Sequence, residues 1–207
     1  MSQINTNSKL SRSFFQSDDV VSLAKKLLGC SLWTQDEGII TAGIIVETEA
    51  YDGLTDRATH AFAGRRTPRT EIFYHSGGCA YTYLCYGIHT LFNIITGPEE
   101  VPQAILVRAV EPSHGINIML ERRNQTSLKR NTAGGPGLVS QALGITRNDY
   151  GIALDGNRIW LTSGNSTNFA EDHILATPRV GINYAGKDAR LPWRFRIAGS
   201  RWTSPAK

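Results

Sequence analysis

Residues 39–51 read IITAGIIVETEAY, a long β-rich run that follows the turn Asp36-Glu37-Gly38 and a shorter stretch, Cys30–Thr34. Two such runs flanking a tight polar turn predict a β-hairpin. Side chains alternate along a strand, so Val46, Thr48 and Ala50 share one face and Glu47, Glu49 and Tyr51 the other. Carboxylates at i and i+2 stand about 6.5–7 Å apart at their backbones, and two of them there can divide acid and base roles. A solvated polar strand face is the competing reading. Upstream, Ser17 or Asp18 is placed to cap a helix whose apolar stripe, Val20, Leu23, Ala24, Leu27 and Leu28, stops at Gly29. Downstream, Asp52–Arg69 is a loop rich in Gly, Asp and Arg, and Thr67-Pro68 opens a short helix through Phe73. Gly77-Gly78 then precedes a strand, Cys79–Tyr86, which Gly87 turns into a second, Thr90–Thr96, with Tyr86 near the hairpin tip. Further strands are predicted at Ala104–Val110, Arg158–Thr162, Arg179–Ile182 and Trp193–Ala198, and helices at His114–Arg123 and Leu138–Leu143.

These alternating periods suit the composition. A chain of 207 residues can bury about 70% of its unfolded surface. With 41% apolar and 19% charged residues, 20 Gly and 8 Pro, it is too apolar for disorder and too interrupted for a helical bundle, which leaves a compact α/β mixture. No apolar run approaches the ~18–20 residues that span a bilayer, and Met1–Leu10 is polar, so a soluble intracellular protein is expected. The three cysteines fit that compartment: the count is odd, and Cys79 and Cys85 on one strand would lie about 20 Å apart, beyond disulfide reach. Net charge is +4, unevenly spread: residues 1–56 hold 4 basic and 8 acidic side chains, residues 177–207 hold 7 basic and 1 acidic. Clustered cations of this kind suit a polyanionic partner, because they displace condensed counterions from phosphates; a solvated basic surface is the plainer alternative.

Several residues could carry chemistry. Glu47, Glu49 and Tyr51 are followed by a loop holding His60, Arg57, Arg65, Arg66 and Arg69, none with an obvious core role. Arg108 interrupts an otherwise apolar strand. Tyr81 and Tyr83 share a strand face that a core could absorb, whereas Tyr86 at a turn has little to pack against. Aromatics interleaved with basic loops suit a surface on which bases stack at ~1–3 kcal/mol each. The glycines of AGGPG (133–137) precede a helix and could receive a phosphate, but no dinucleotide or P-loop pattern accompanies them. No Cys/His spacing fits zinc and no Ser/His/Asp signature is visible, so neither metal nor cofactor is expected.

Taken together, VETEAYDG (46–53), HAFAGRRTPRTEIF (60–73), AYTYLCYGIHTLFNI (80–94), LVRAVEP (106–112), RVGINYAG (179–186) and WRFRIAGSRW (193–202) closely resemble the alkyladenine (3-methyladenine) DNA glycosylase family over about nine tenths of the chain. The resemblance implies an α+β fold: a single domain over 1–207 with a curved, largely antiparallel sheet, surrounding helices and a protruding β-hairpin, residues 1–12 being a flexible segment. It implies a monofunctional enzyme of base excision repair that acts on double-stranded DNA containing damaged purines. Such an enzyme would work as a monomer, without membrane or cofactor, in the bacterial nucleoid or the eukaryotic nucleus. By the same resemblance Glu49 is the catalytic base, with Arg108 and the backbone of Val180 holding the attacking water. Tyr51, His60 and Tyr83 line the base pocket, Asn93 obstructs the 2-amino group of guanine, and Tyr86 fills the gap left by the extruded nucleotide. Arg65, Arg66, Arg69 and Arg179 are candidates for the DNA backbone. No lysine lies within these motifs, so no Schiff base is expected. A non-enzymatic damaged-DNA or single-strand binding module is the alternative, and it leaves Glu49 without a purpose.

Overall fold

A computed structural model describes residues 9–164 and 171–205. Eight strands, β1 (Ser31–Asp36), β2 (Ile39–Asp52), β3 (Cys79–Cys85), β4 (His89–Thr96), β5 (Gln103–His114), β6 (Ile159–Thr162), β7 (Ile174–Thr177) and β8 (Arg194–Ile197), form one antiparallel sheet. Its order is β3-β4-β5-β2-β1-β6, with β8 pairing both β2 and β7. Three α-helices accompany it: α1 (Val20–Lys26), α2 (Ile116–Arg122) and α3 (Pro136–Leu143). The expected α+β class with a projecting hairpin is what forms.

The run at 39–51 becomes the axis of this sheet. The first half of β2 pairs with β1 from Ser31↔Ile44 to Asp36↔Ile39, and its second half pairs with β8, from Glu47↔Arg196 to Glu49↔Arg194. β5 runs along its other side throughout. That pairing is irregular three times, between Ala42 and Gly43, between Ile45 and Glu47, and between Glu47 and Thr48, where Arg108 is passed over in the register. Such bulges re-aim side chains. Here they bring Arg108 of β5 beside the carboxylates of β2.

Every residue of the α1 stripe is buried in the main core with Ile45, Ala50, Ile105 and Val107. At ~1.5–3 kcal/mol per fully buried large aliphatic side chain, this stripe is what fixes the helix on the sheet. The cap is neither Ser17 nor Asp18 but Asp19, whose carboxylate accepts from Ser22 N at 2.9 Å. Only the residue immediately before Val20 can reach that amide. The expected strand at Arg179–Ile182 does not form. Gly181 has φ 76°, and the Val180 N–H donates to a side chain instead of a ladder. Residues 1–8 of the segment expected to be flexible lie outside the described residues. The rest of it is tied down: Leu10 N–H donates to Leu161 O at 2.8 Å, and Arg12 begins a 3₁₀ turn.

Candidate active site

A cavity of about 450 Å³ opens beside the β3–β4 hairpin, against residues 58–60 and 180–184. Six side chains or backbones expected there do line it, namely Tyr51, His60, Tyr83, Asn93, Arg108 and Val180. Tyr86 stands at its rim. This tyrosine occupies the left-handed region at φ 51°, followed by Gly87 at φ 74°, as a tight primed turn requires, and the Cys85 carbonyl accepts from Ile88 N at 3.2 Å. The turn projects Tyr86 into solvent, 86% exposed, with Ile88 also largely exposed.

Glu49 contributes no surface of its own. It is fully buried immediately behind three lining residues, each of which engages its carboxylate. The Tyr51 hydroxyl donates to Oε2 at 2.7 Å, Val180 N–H donates to Oε1 at 2.8 Å, and Arg108 Nη1 lies 3.3 Å from Oε1. The Val180 N–H is thus engaged with the carboxylate itself. Burial, and then the neighbouring Glu49 charge and hydrogen bond, push the Tyr51 hydroxyl well above its ordinary pKa, so it keeps its proton and donates. A carboxylate has about four lone-pair sites. With these donors in place, Oε2 retains one for a further donor.

Glu47 does not form an acid–base pair with Glu49. Its Oε1 accepts from Arg108 Nε at 2.8 Å and Arg194 Nε at 2.7 Å. Ser204 donates its N–H to Oε2 at 2.6 Å and its hydroxyl to Oε1 at 2.7 Å. Burial opposes ionisation, but Arg108, Ser204 and Arg194 outweigh it and hold the Glu47 carboxyl below its usual range. A carboxylate so fully engaged has no proton to exchange.

The aromatic wall comes from β3 and the loop before it. Tyr81 and Tyr83 stack at 5.3 Å between centroids, and His60 meets Tyr83 edge-on at 4.9 Å. His60 Nδ1 and the Tyr81 hydroxyl are hydrogen-bonded at 2.9 Å. Asn93 Nδ2 donates across the hairpin to the Tyr81 carbonyl at 3.2 Å, which fixes its amide in the cavity floor. Tyr81 was legible only as possible core, and it is both: it packs on Phe73 and anchors His60.

The model of the methylpurine-DNA glycosylase (MPG) family matches residues 13–201. The chain belongs to this family. Its relatives include a protein of Chlamydia felis, 46% identical over 91% of this chain and 95% of its own, named "Putative 3-methyladenine DNA glycosylase". Proteins of the same name from Bacillus licheniformis and Bacillus subtilis are each 42% identical, over 92% of this chain and 94% of theirs. This methylpurine-DNA glycosylase family member is therefore a DNA glycosylase of DNA repair, with DNA as its partner, and the purely binding alternative falls away. Among the described residues no helix is long and apolar enough to cross a membrane.

Of the four arginines offered to a phosphate backbone, three already have side-chain partners in the fold. Arg65 is exposed on a second, adjoining cavity of about 590 Å³, which it lines with Arg57, Arg69 and Tyr184. Arg66 is neutralised by Glu71 at 2.7 Å and Glu100 at 2.8 Å. Arg69 turns to the aromatic wall: it lies over the Tyr83 ring at 5.0 Å and donates from Nε to the Tyr81 hydroxyl at 3.1 Å. Arg179 is buried, paired with Asp56 and packed over Tyr51 and Trp193. A buried, carboxylate-paired guanidinium cannot reach a phosphate. Tyr184, 70% exposed beside both cavities, and Asp56 had no periodic or spacing signal that would single them out. No three His, Cys, Asp or Glu side chains converge as metal ligands among the described residues.

Proposed function

We propose that this glycosylase flips an alkylated or deaminated purine (3-methyladenine, 7-methylguanine, hypoxanthine or ethenoadenine) out of duplex DNA and hydrolyses its N-glycosidic bond, leaving an abasic site. Acting as a monomer within the DNA-containing compartment, it uses water activated by Glu49. The observation that carries this reading is the Glu49 carboxylate set directly behind an aromatic cavity, held by Tyr51 and Val180 with an acceptor site to spare.

A base inside a duplex hides C1′, so the nucleotide must be extruded at a cost of a few kcal/mol. Tyr86, exposed on a tight turn beside the cavity mouth, can occupy the gap and recover ~1–3 kcal/mol by stacking. A purine alkylated at N3 or N7 is positively charged, and the faces of Tyr51 and Tyr83 attract it by roughly 0.5–2 kcal/mol that a neutral purine does not gain. The same charge makes the base a good leaving group, so the protein has chiefly to orient and deprotonate a water. Glu49 also stabilises the positive character growing on the sugar, an effect strengthened where water is excluded. Asn93, its amide fixed by Tyr81, obstructs the 2-amino group of guanine. Arg65 takes a backbone phosphate from the adjoining cavity.

Glu49→Gln is expected to bind a lesion-containing duplex normally but to lose base release in single turnover by at least ~100-fold, the scale of a missing general base. Near-normal excision by that variant would overturn the assignment. Borohydride should trap no protein–DNA adduct, since no lysine lines the cavity.

A further inference from the structure

Buried beside Glu49 is a cluster that hydrolysis does not itself require. Glu47, Arg108, Arg194 and Ser204 are all within the interior, drawn from β2, β5, β8 and the segment after β8. The Ser204 hydroxyl donates to Glu47 Oε1 and accepts from Nη2 of both Arg108 and Arg194, at 3.4 and 3.3 Å. Trp202 packs with Val46 and Ala109 and so fixes the segment that delivers Ser204. Arg108 is shared: Nε points to Glu47 and Nη1 to Glu49. Since a guanidinium is a rigid plane, the grip on Nε decides where Nη1 lies.

We propose that Ser204 and Glu47 are positioning residues for Glu49, acting through Arg108 to set the place of its carboxylate. This inference rests on the reading of Glu49 as the base. Charge neutralisation alone would be met by any Glu47–Arg194 contact. What it leaves unexplained is a guanidinium divided between two carboxylates and a hydroxyl with all its bonds committed to that division. The charged and titratable groups about Glu49 are Glu47 and Tyr51 on β2, Arg108 on β5, Arg194 on β8, and Arg179 with its partner Asp56 over Tyr51. Three cations face three carboxylates in this set. Removing one member therefore redistributes the others.

The two sides of the device predict opposite effects. In Ser204→Ala, Glu47 loses a donor and draws harder on Arg108, so Glu49 loses part of its cation. The acidic limb of the single-turnover rate profile should then move to higher pH by ~0.5–1 unit, a three- to tenfold loss of rate below the limb. Ser204→Thr, which keeps the hydroxyl, should restore the profile. In Glu47→Gln, Arg108 and Arg194 turn to Glu49 as their remaining carboxylate, and the limb should move to lower pH. A duplex carrying 7-methylguanine is the substrate, because its charged base needs no proton to leave, and melting temperature is recorded alongside. Should Glu47→Gln fail to fold, the Ser204→Ala and Ser204→Thr pair decides the matter. Limbs that coincide with wild type while only melting temperature falls overturn the inference. An inactive Glu49→Gln control in that case leaves the base assignment standing, whereas an active one removes both.

Discussion

His60 is packed against Tyr81 and Tyr83 with Arg69 close by, and burial, then the Arg69 charge, push its pKa down to about 4. A neutral imidazole does not repel a cationic purine in the pocket. The same shift links His60 to stability. The unfolded chain takes up this proton near pH 6.5 and the fold only near 4, so stability is full above about 6.5 and falls as pH drops through that window. Between pH 6.5 and 5 the loss should be about 2 kcal/mol. Urea unfolding at pH 7 and pH 5 should show that His60→Gln has the shallower dependence; equal slopes would mean that the imidazole is not held neutral. At this level the sequence was informative about residue type and poor about partners. Glu49, Tyr51, His60 and Tyr83 stood out, but Arg69 and Arg179 looked alike in the chain. Only their surroundings, Tyr83 for one and Asp56 for the other, separate their roles.

The hairpin β3–β4 carries both the pocket wall and Tyr86, so its seating matters to function. The start of β4, beside the turn that carries Tyr86, rests on the start of α3, where a Cβ added at Gly137 would lie 2.9 Å from both Cβ and Cγ of His89. One of these carbons is the root of that side chain, so the hairpin and not a flexible tip must yield. Gly137→Ala is expected to cost ~1–3 kcal/mol by overpacking and to weaken lesion binding with it. Thermal melting and a binding isotherm check both; an unchanged melting temperature would mean the contact relaxes freely. The AGGPG glycines thus have a packing reason for at least one member, where phosphate binding was the weak sequence suggestion. Period alone located β2, the hairpin and the α1 stripe, because each alternates or repeats strongly. It misplaced a strand at 179–182, where the chain turns at Gly181 and the preceding Val180 N–H is given to Glu49 instead of a ladder.

Across the molecule, the acidic first quarter and the basic last segment are partly each other's counter-charge. Asp56 pairs with Arg179, and Glu47 with Arg194, over more than a hundred residues of chain. Two of the seven basic side chains at 177–207 are therefore unavailable to a polyanion, and the surface is less basic there than the composition suggests. These pairs clamp β8 and the loop before it to β2 and the loop that follows β2. Asp56→Ala would leave Arg179 buried without its carboxylate, at an expected cost of ~3–5 kcal/mol in chemical denaturation. A loss under 1 kcal/mol would show that solvent or another acceptor takes its place. Periodicity, turn residues and motif content were enough to read the fold class, the sheet's long strand and the projecting tyrosine, because each is a local pattern of side-chain type. Which arginine stays exposed, which engages Glu49 and which pairs with another carboxylate depended on the folded chain. Those roles arise from distances of a few ångströms between residues far apart in sequence, and Coulomb and hydrogen-bond energies answer to separation in space alone.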